Sequence, residues 1–151
     1  MEKIFLGSDH AGYKLKEFLK KNFDKKKIKY SDLGADSEES SDYPDFALKV
    51  AKNVAEKRGN GILVCGTGTG MVIAANKIKG VRAALAYDDY SARMARLHNN
   101  VNVLCLRGRK IDFKKAQRIV DIWLKTEFSG EKRHARRMGK ISRIEKQNFR
   151  K

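Results

Sequence analysis

The chain has 151 residues, of which 41% are hydrophobic and 34% charged, and its formal net charge is +16. That length suits one domain, 1–151, polar but with enough apolar side chains to build a core. No stretch approaches the roughly 18 uninterrupted apolar residues of a membrane helix. Two widely separated cysteines, Cys65 and Cys105, indicate neither a zinc site nor a disulfide framework.

The opening Met1-Glu2-Lys3-Ile4 runs straight into strand-like residues without the pattern of a secretory leader, so the expected compartment is the cytoplasm. Ile4-Phe5-Leu6-Gly7 predicts a strand, and Leu15, Phe18, Leu19 and Phe23 recur at helical spacing. Residues 29–34 predict a weaker strand. Pro44 sits early in a helix whose apolar face is Ala47, Val50, Ala51 and Val54. The fully apolar Gly61-Ile62-Leu63-Val64-Cys65 predicts a central buried strand. A glycine-rich turn leads to a helix over 71–78 and a strand over 81–87. A helix over 90–97 and a strand over 101–106 follow. Ile111-Asp112 opens a strongly amphipathic helix, and a basic helix covers about 131–147. This alternation predicts a Rossmann-like three-layer α/β/α sandwich with a parallel sheet of about five strands. In such sheets ligands bind beyond the carboxyl ends of the strands.

Charge is uneven along the chain: residues 106–151 hold 16 Lys/Arg against 5 Asp/Glu, so +11 of the total falls there. Nucleic acid, a phosphorylated small molecule or solvent could each face such a segment. The first of these lacks support from any aromatic-basic interleaving or nucleic-acid-binding motif.

Residues that follow the strands carry the chemistry. Gly7-Ser8-Asp9-His10-Ala11-Gly12 sets an acid beside an imidazole, suited to positioning hydroxyls or moving protons. Capping of the next helix is the plainer role for Asp9. Tyr13-Lys14 replaces the Lys-Ser/Thr of a P-loop, which excludes that motif. Cys65-Gly66-Thr67-Gly68-Thr69-Gly70 offers backbone N–H groups to an anion, with a thiol at the strand's end placed to act as a base. Tight-turn chemistry and a small core side chain are the plainer readings of loop and thiol. Cys105, inside an apolar run, is a core residue. His98 and Asn100 end a helix and could serve only as dipole partner and cap. Arg133 and Arg137, four apart, share a helix face that could grip a phosphate or simply meet solvent. Taken together, a soft base, an imidazole, an anion cradle and phosphate-binding arginines fit proton transfer on a phosphorylated sugar, with no cofactor and no metal.

These motifs, with Asp42-Tyr43-Pro44, Ile73-Ala74-Ala75-Asn76-Lys77, His98-Asn99-Asn100-Val101-Asn102, Gly108-Arg109 and Arg133-His134, resemble the ribose-5-phosphate isomerase B family along essentially the whole chain. The wider group includes galactose-6-phosphate isomerase. The resemblance implies a homodimer, or a dimer of dimers, with each active site shared between two subunits and the basic C-terminal helix at the dimer interface. It implies interconversion of D-ribose 5-phosphate and D-ribulose 5-phosphate through an enediolate. Cys65 would be the base, and His98 would open the furanose ring with Asp9 assisting. Amides of Gly66, Thr67, Gly68, Thr69 and Gly70 would stabilise the enediolate, with Thr67 helping to move the hydroxyl proton. His10, Arg109, Arg133 and Arg137 would contact phosphate or hydroxyls, and Tyr43 and Asn99 would line the site. Some members use a glutamate as base where this chain has Met71, which leaves that role to Cys65. Gly130-Glu131-Lys132-Arg133-His134 is one residue longer than the family's Gly-Gly-Arg-His, leaving the phosphate register open among Arg133, Arg136 and Arg137. A six-carbon sugar phosphate such as allose or galactose 6-phosphate is the alternative substrate.

Overall fold

A computed structural model describes residues 3–57 and 59–149; Met1 and Glu2, which open the chain, lie outside the described residues. Five strands form one parallel sheet: β1 (Ile4–Ser8), β2 (Tyr30–Asp32), β3 (Asn60–Cys65), β4 (Ala83–Leu85) and β5 (Val103–Arg107), in the order β2-β1-β3-β5-β4. Every residue of β1 and β3 is buried, as strands covered on both faces require. Among the described residues there are six α-helices: α1 (Tyr13–Lys25), α2 (Tyr43–Lys57), α3 (Thr69–Ala75), α4 (Asp89–Leu97), α5 (Phe113–Lys125) and α6 (Lys132–Asn148).

The strand side chains alternate between two apolar cores. Ile4, Leu6, Ile62, Val64, Leu104 and Leu106 meet α1, α4 and α5, with Trp123 and Phe23 at the centre. Phe5, Leu63, Val103 and Cys105 meet α2 and α3 on the opposite face. Glycines let α2 press onto the sheet. A Cβ on Gly7 or on Gly61 would stand 2.8 Å from a Val50 methyl, nearer than carbon atoms pack.

Most helix and strand expectations hold, with shifted edges: α3 starts at Thr69 rather than at 71, and β5 spans Val103–Arg107 rather than 101–106. β4 spans three residues rather than 81–87, because neighbouring backbone groups find other partners. The Arg82 N–H donates to Asn102 Oδ1 (2.7 Å), and the Tyr87 N–H to Ser91 Oγ (3.0 Å), inside the capping box of α4. α3 stops at Ala75 instead of Ile78. Asn76 ends it, its side chain bridging the Ala83 N–H and C=O (2.8 and 2.9 Å). Asp112 precedes α5 rather than starting it, capping the Lys115 N–H at 2.9 Å. α6 begins at Lys132, one residue later than expected.

Among the described residues no helix is long and apolar enough to cross a membrane.

Candidate functional site

Connections leave β1 toward β2 on one side and continue from β3 toward β5 on the other. The switch therefore lies between β1 and β3, where parallel sheets open a crevice beyond their carboxyl ends. Ser8 and Val64 stand side by side there. A single 3₁₀ turn, His10–Gly12, follows β1, and the glycine loop follows β3. The two are packed tightly. Asp9 N–H donates to Val64 O (3.2 Å), and a Cβ on Gly12 would lie 2.4 Å from that same oxygen.

Cys65 closes β3 and is 4% exposed. The Gly68 N–H points at its sulfur, with nitrogen and Sγ 3.2 Å apart. Gly68 can do this because its φ is +83°, the left-handed region, and a side chain there would strike Leu85 and the Leu106 carbonyl. The next amide, of Thr69, donates to Thr67 Oγ1 (3.3 Å). Of the five amides of Gly66 to Gly70, one thus faces the strand-end sulfur and one a hydroxyl within the loop. α3 has only seven residues, so the backbone donors gathered here belong to the loop rather than to a helix terminus. Cys105, the other thiol, is fully buried; burial, with Cys65 nearby, pushes it well above the usual thiol range and keeps it neutral.

Residues from three other segments converge on this loop. The Tyr43 ring lies over Gly70, where a Cβ would stand 2.6 Å from the ring. Arg109 runs past Gly66, its backbone N–H donating to the Gly66 carbonyl at 3.3 Å. A cleft of about 470 Å³ opens between Gly66, Thr67, Leu85, Tyr87, Arg109 and Lys110. Asp9 is buried, and one carboxylate oxygen caps the 3₁₀ turn through the Gly12 N–H (3.1 Å), so the capping role is real. The His10 ring is held by its Nδ1 edge, which accepts from the Ser41 N–H (3.1 Å), while Ser41 Oγ accepts from the His10 N–H (3.1 Å). Among the described residues no hydrogen bond reaches Nε2.

Ser41 carries no reactive signature and sits 31 residues from His10, so only the fold shows its part. The run Ser40-Ser41-Asp42-Tyr43-Pro44, dense in turn formers, was the available hint.

The remaining candidates do not join this cluster. His98 is the C-cap of α4, which starts just past the carboxyl end of β4 and runs back toward the amino ends of the strands. Nine residues at about 1.5 Å each carry it roughly 13 Å, about one strand length. The ring stacks on His134 of α6, with centroids 4.3 Å apart and planes tilted by 34°. Asn99 lines a separate cleft of about 290 Å³ with Asn76, Arg82, Val101, Met138 and Ile141. His134 is the one buried residue of α6 and sets the helix's inward face. Arg133 and Arg137 flank it, exposed, with Arg133 Nε donating to Glu131 at 3.0 Å. Arg136 is turned about 200° from His134, on the far side. Arg133 and Arg137 therefore lie nearer the inward face of α6 than Arg136 does.

Cys65, Gly66 to Gly70, Asp9, His10, Tyr43 and Arg109 thus gather at the carboxyl end of the sheet. His98, Asn99, Arg133 and Arg137 gather at the other end.

Comparison with known proteins gives one consistent family. A sequence model of the family described as Ribose/Galactose Isomerase matches residues 4–141. Ribose-5-phosphate isomerase B of Escherichia coli is 41% identical over 146 residues, covering 96% of this chain and 97% of that protein. The structure of ribose-5-phosphate isomerase B from Clostridium thermocellum superposes with a TM-score of 0.93 at 49% identity, covering 96% of this chain and 98% of that one. The Mycoplasma genitalium enzyme, whose structure contains ribulose-5-phosphate, superposes with a TM-score of 0.92 at 44% identity, covering 96% and 97%.

Proposed function

We propose that this chain, which belongs to the ribose/galactose isomerase family, interconverts D-ribose 5-phosphate and D-ribulose 5-phosphate as a single-domain aldose–ketose isomerase. The observation that carries the reading is the Gly68 N–H aimed at Cys65 Sγ inside a glycine loop at the switch point of the sheet. A base and a set of N–H donors side by side are what an enediolate needs. Cys65, as thiolate, takes the C2 proton, and the electrons of that bond move to form C1=C2 as the C1 carbonyl becomes an oxyanion. Loop amides stabilise that charge. Thr67 helps to pass the hydroxyl proton from O2 to O1. Cys65 then returns its proton to C1, leaving the C2 ketone. Atoms and electrons balance without an oxidant.

Ring opening comes first, and His98 is the acid/base for it, with the buried Asp9 assisting at the crevice. His10 and Arg109 hold phosphate or hydroxyls from one side, and Arg133 and Arg137 from the other; Tyr43 and Asn99 line the cavity. Because the two residue groups lie at opposite ends of one sheet, a working site takes one group from each of two chains, in a homodimer or a dimer of dimers. Apolar surface supports such an assembly. Ile141 is 46% exposed and Ile144 59% exposed on α6, and Ile73 is 59% exposed on α3. The basic helix α6 with these isoleucines is the natural contact.

An isomerase assay run in parallel on ribose 5-phosphate, allose 6-phosphate and galactose 6-phosphate tests the function. Turnover of the pentose phosphate well above both hexose phosphates, abolished in Cys65→Ser, is expected. A preference for either hexose phosphate would move the substrate assignment to the six-carbon reading.

A further inference from the structure

We propose that His134 is a positioning residue for His98, holding the imidazole that opens the sugar ring; this rests on the isomerase reading above. His98 caps α4, and among the described residues no hydrogen bond reaches its ring. What the ring does have is the face of His134, 4.3 Å away between centroids.

His134 is itself fixed. It is 3% exposed, and its Nδ1 lies 2.6 Å from Ser129 Oγ. The Ser129 N–H in turn donates to the carbonyl of Leu97, the residue just before His98 (3.0 Å). The contacts close a circuit: the end of α4 grips Ser129, Ser129 grips His134, and His134 returns to the His98 ring. A side chain at a helix terminus would otherwise sample several rotamers, and an acid/base works only within hydrogen-bond reach of the proton it moves. The electrostatics agree with the geometry. Burial, helped by His98, Arg133 and Arg137 and opposed by Glu131, holds His134 below the usual histidine range. A neutral ring can face His98 while His98 changes charge.

Ring opening takes the proton from the C1 hydroxyl, forms C1=O, breaks the C1–O4 bond and returns a proton to O4. Ribulose 5-phosphate needs none of this, because its C5 oxygen carries the phosphate and cannot close a furanose. Exchange of its C1 hydrogen with solvent deuterium reports proton abstraction alone, so two assays separate ring opening from enolisation.

The experiment compares wild type, His134→Ala and His134→Phe, each checked for intact fold and assembly. Both isomerisation of ribose 5-phosphate and deuterium wash-in at C1 of ribulose 5-phosphate are measured. His134→Ala should lose about tenfold or more in isomerisation while wash-in stays within about threefold of wild type. His134→Phe keeps an aromatic face against His98 and should recover part of the loss. Equal falls in both assays, no fall in either, or a His134→Phe protein as impaired as His134→Ala would overturn the positioning role. A wild-type protein that neither isomerises nor exchanges would instead remove the isomerase reading on which the role rests.

Discussion

Cys65 and His98 stand at opposite ends of the same sheet: Cys65 is the last residue of β3, and His98 caps a helix that has travelled back to the amino ends of the strands. Within one chain they are about a strand length apart, too far to act on one five-carbon substrate. Each is nonetheless set in a prepared environment, the sulfur facing the Gly68 N–H and the imidazole facing His134. Under the proposed function, these two half-sites on one chain are completed by a second copy.

The thiol is the first test. Cys65→Ser keeps the shape of the strand end but replaces a thiol with a hydroxyl, whose proton is far harder to remove and which is a far poorer base. A fall in kcat of at least 100-fold is expected, an order-of-magnitude figure for loss of a general base, with thermal stability little changed. Iodoacetamide should inactivate the wild type, and ribose 5-phosphate should slow that inactivation. Cys65→Ser retaining most of the activity would exclude the sulfur as base.

Gly68 tests the loop geometry independently of the sulfur. Gly68→Ala places a methyl group 2.6 Å from the Leu85 side chain at a φ of +83°. The turn must shift and carry its N–H away from Cys65. Both stability, by about 1–3 kcal/mol, and kcat should fall, whereas Gly80→Ala, whose Cβ would meet nothing within 4 Å, should leave kcat unchanged although its φ is +85°. Equal kinetic effects at the two glycines would mean that the Gly68 contact has no catalytic part.

For the phosphate, Arg133→Ala or Arg137→Ala should raise KM for ribose 5-phosphate by roughly 10- to 100-fold, since a charge-assisted contact of about 1.5–3 kcal/mol is lost. Free ribose, lacking the phosphate, should be affected little. Arg136→Ala should do nearly nothing, because that side chain stands on the far side of α6. A larger effect at Arg136 than at Arg137 would show the register to be off by one.

Much of this was legible in the sequence because its signals are local. The apolar run Gly61-Ile62-Leu63-Val64-Cys65 reads as a buried strand, and a cysteine followed by alternating glycines at that strand's end points to the candidate site. The edges were less legible. Nothing local to Val81 and Arg82 says that Asn102 would take the Arg82 N–H and cut the strand short. Pairings across the fold were not legible at all. Ser41 on His10, Tyr43 over Gly70, and His134 on His98 each join distant segments, and no spacing rule reports them. The division of candidates between the two ends of the sheet emerges only once α4's direction is known.

A stability prediction concerns the far edge of the sheet. Lys16 is fully buried and its Nζ lies 2.6 Å from Asp32, which Lys20 also meets at 2.7 Å. Burial works to raise the Asp32 carboxyl, but Lys16, Lys20 and the Gly34 N–H outweigh it and hold it below the usual carboxylate range. A depressed carboxyl contributes stability at pH above its unfolded value near 3.9 and loses it as pH falls through the folded value. Asp32→Asn should therefore cost about 3 kcal/mol at pH 7, where it strips the nearest partner from a buried ammonium. The gap between the two proteins should narrow below about pH 4. Thermal melts from pH 7 to pH 2 measure this; a constant gap would contradict the assignment.

Subunit mixing measures the shared site most directly. Cys65→Ala and His98→Ala homodimers should each be nearly inactive. Unfolded together in equal amounts and refolded, random pairing makes half of the dimers mixed. Each mixed dimer has one site with both lesions and one with neither, so activity should recover to about a quarter of wild type. If Cys65 and His98 served the same site from one chain, every site would keep a lesion. A mixture that refolds fully as dimers and stays inactive would contradict the account.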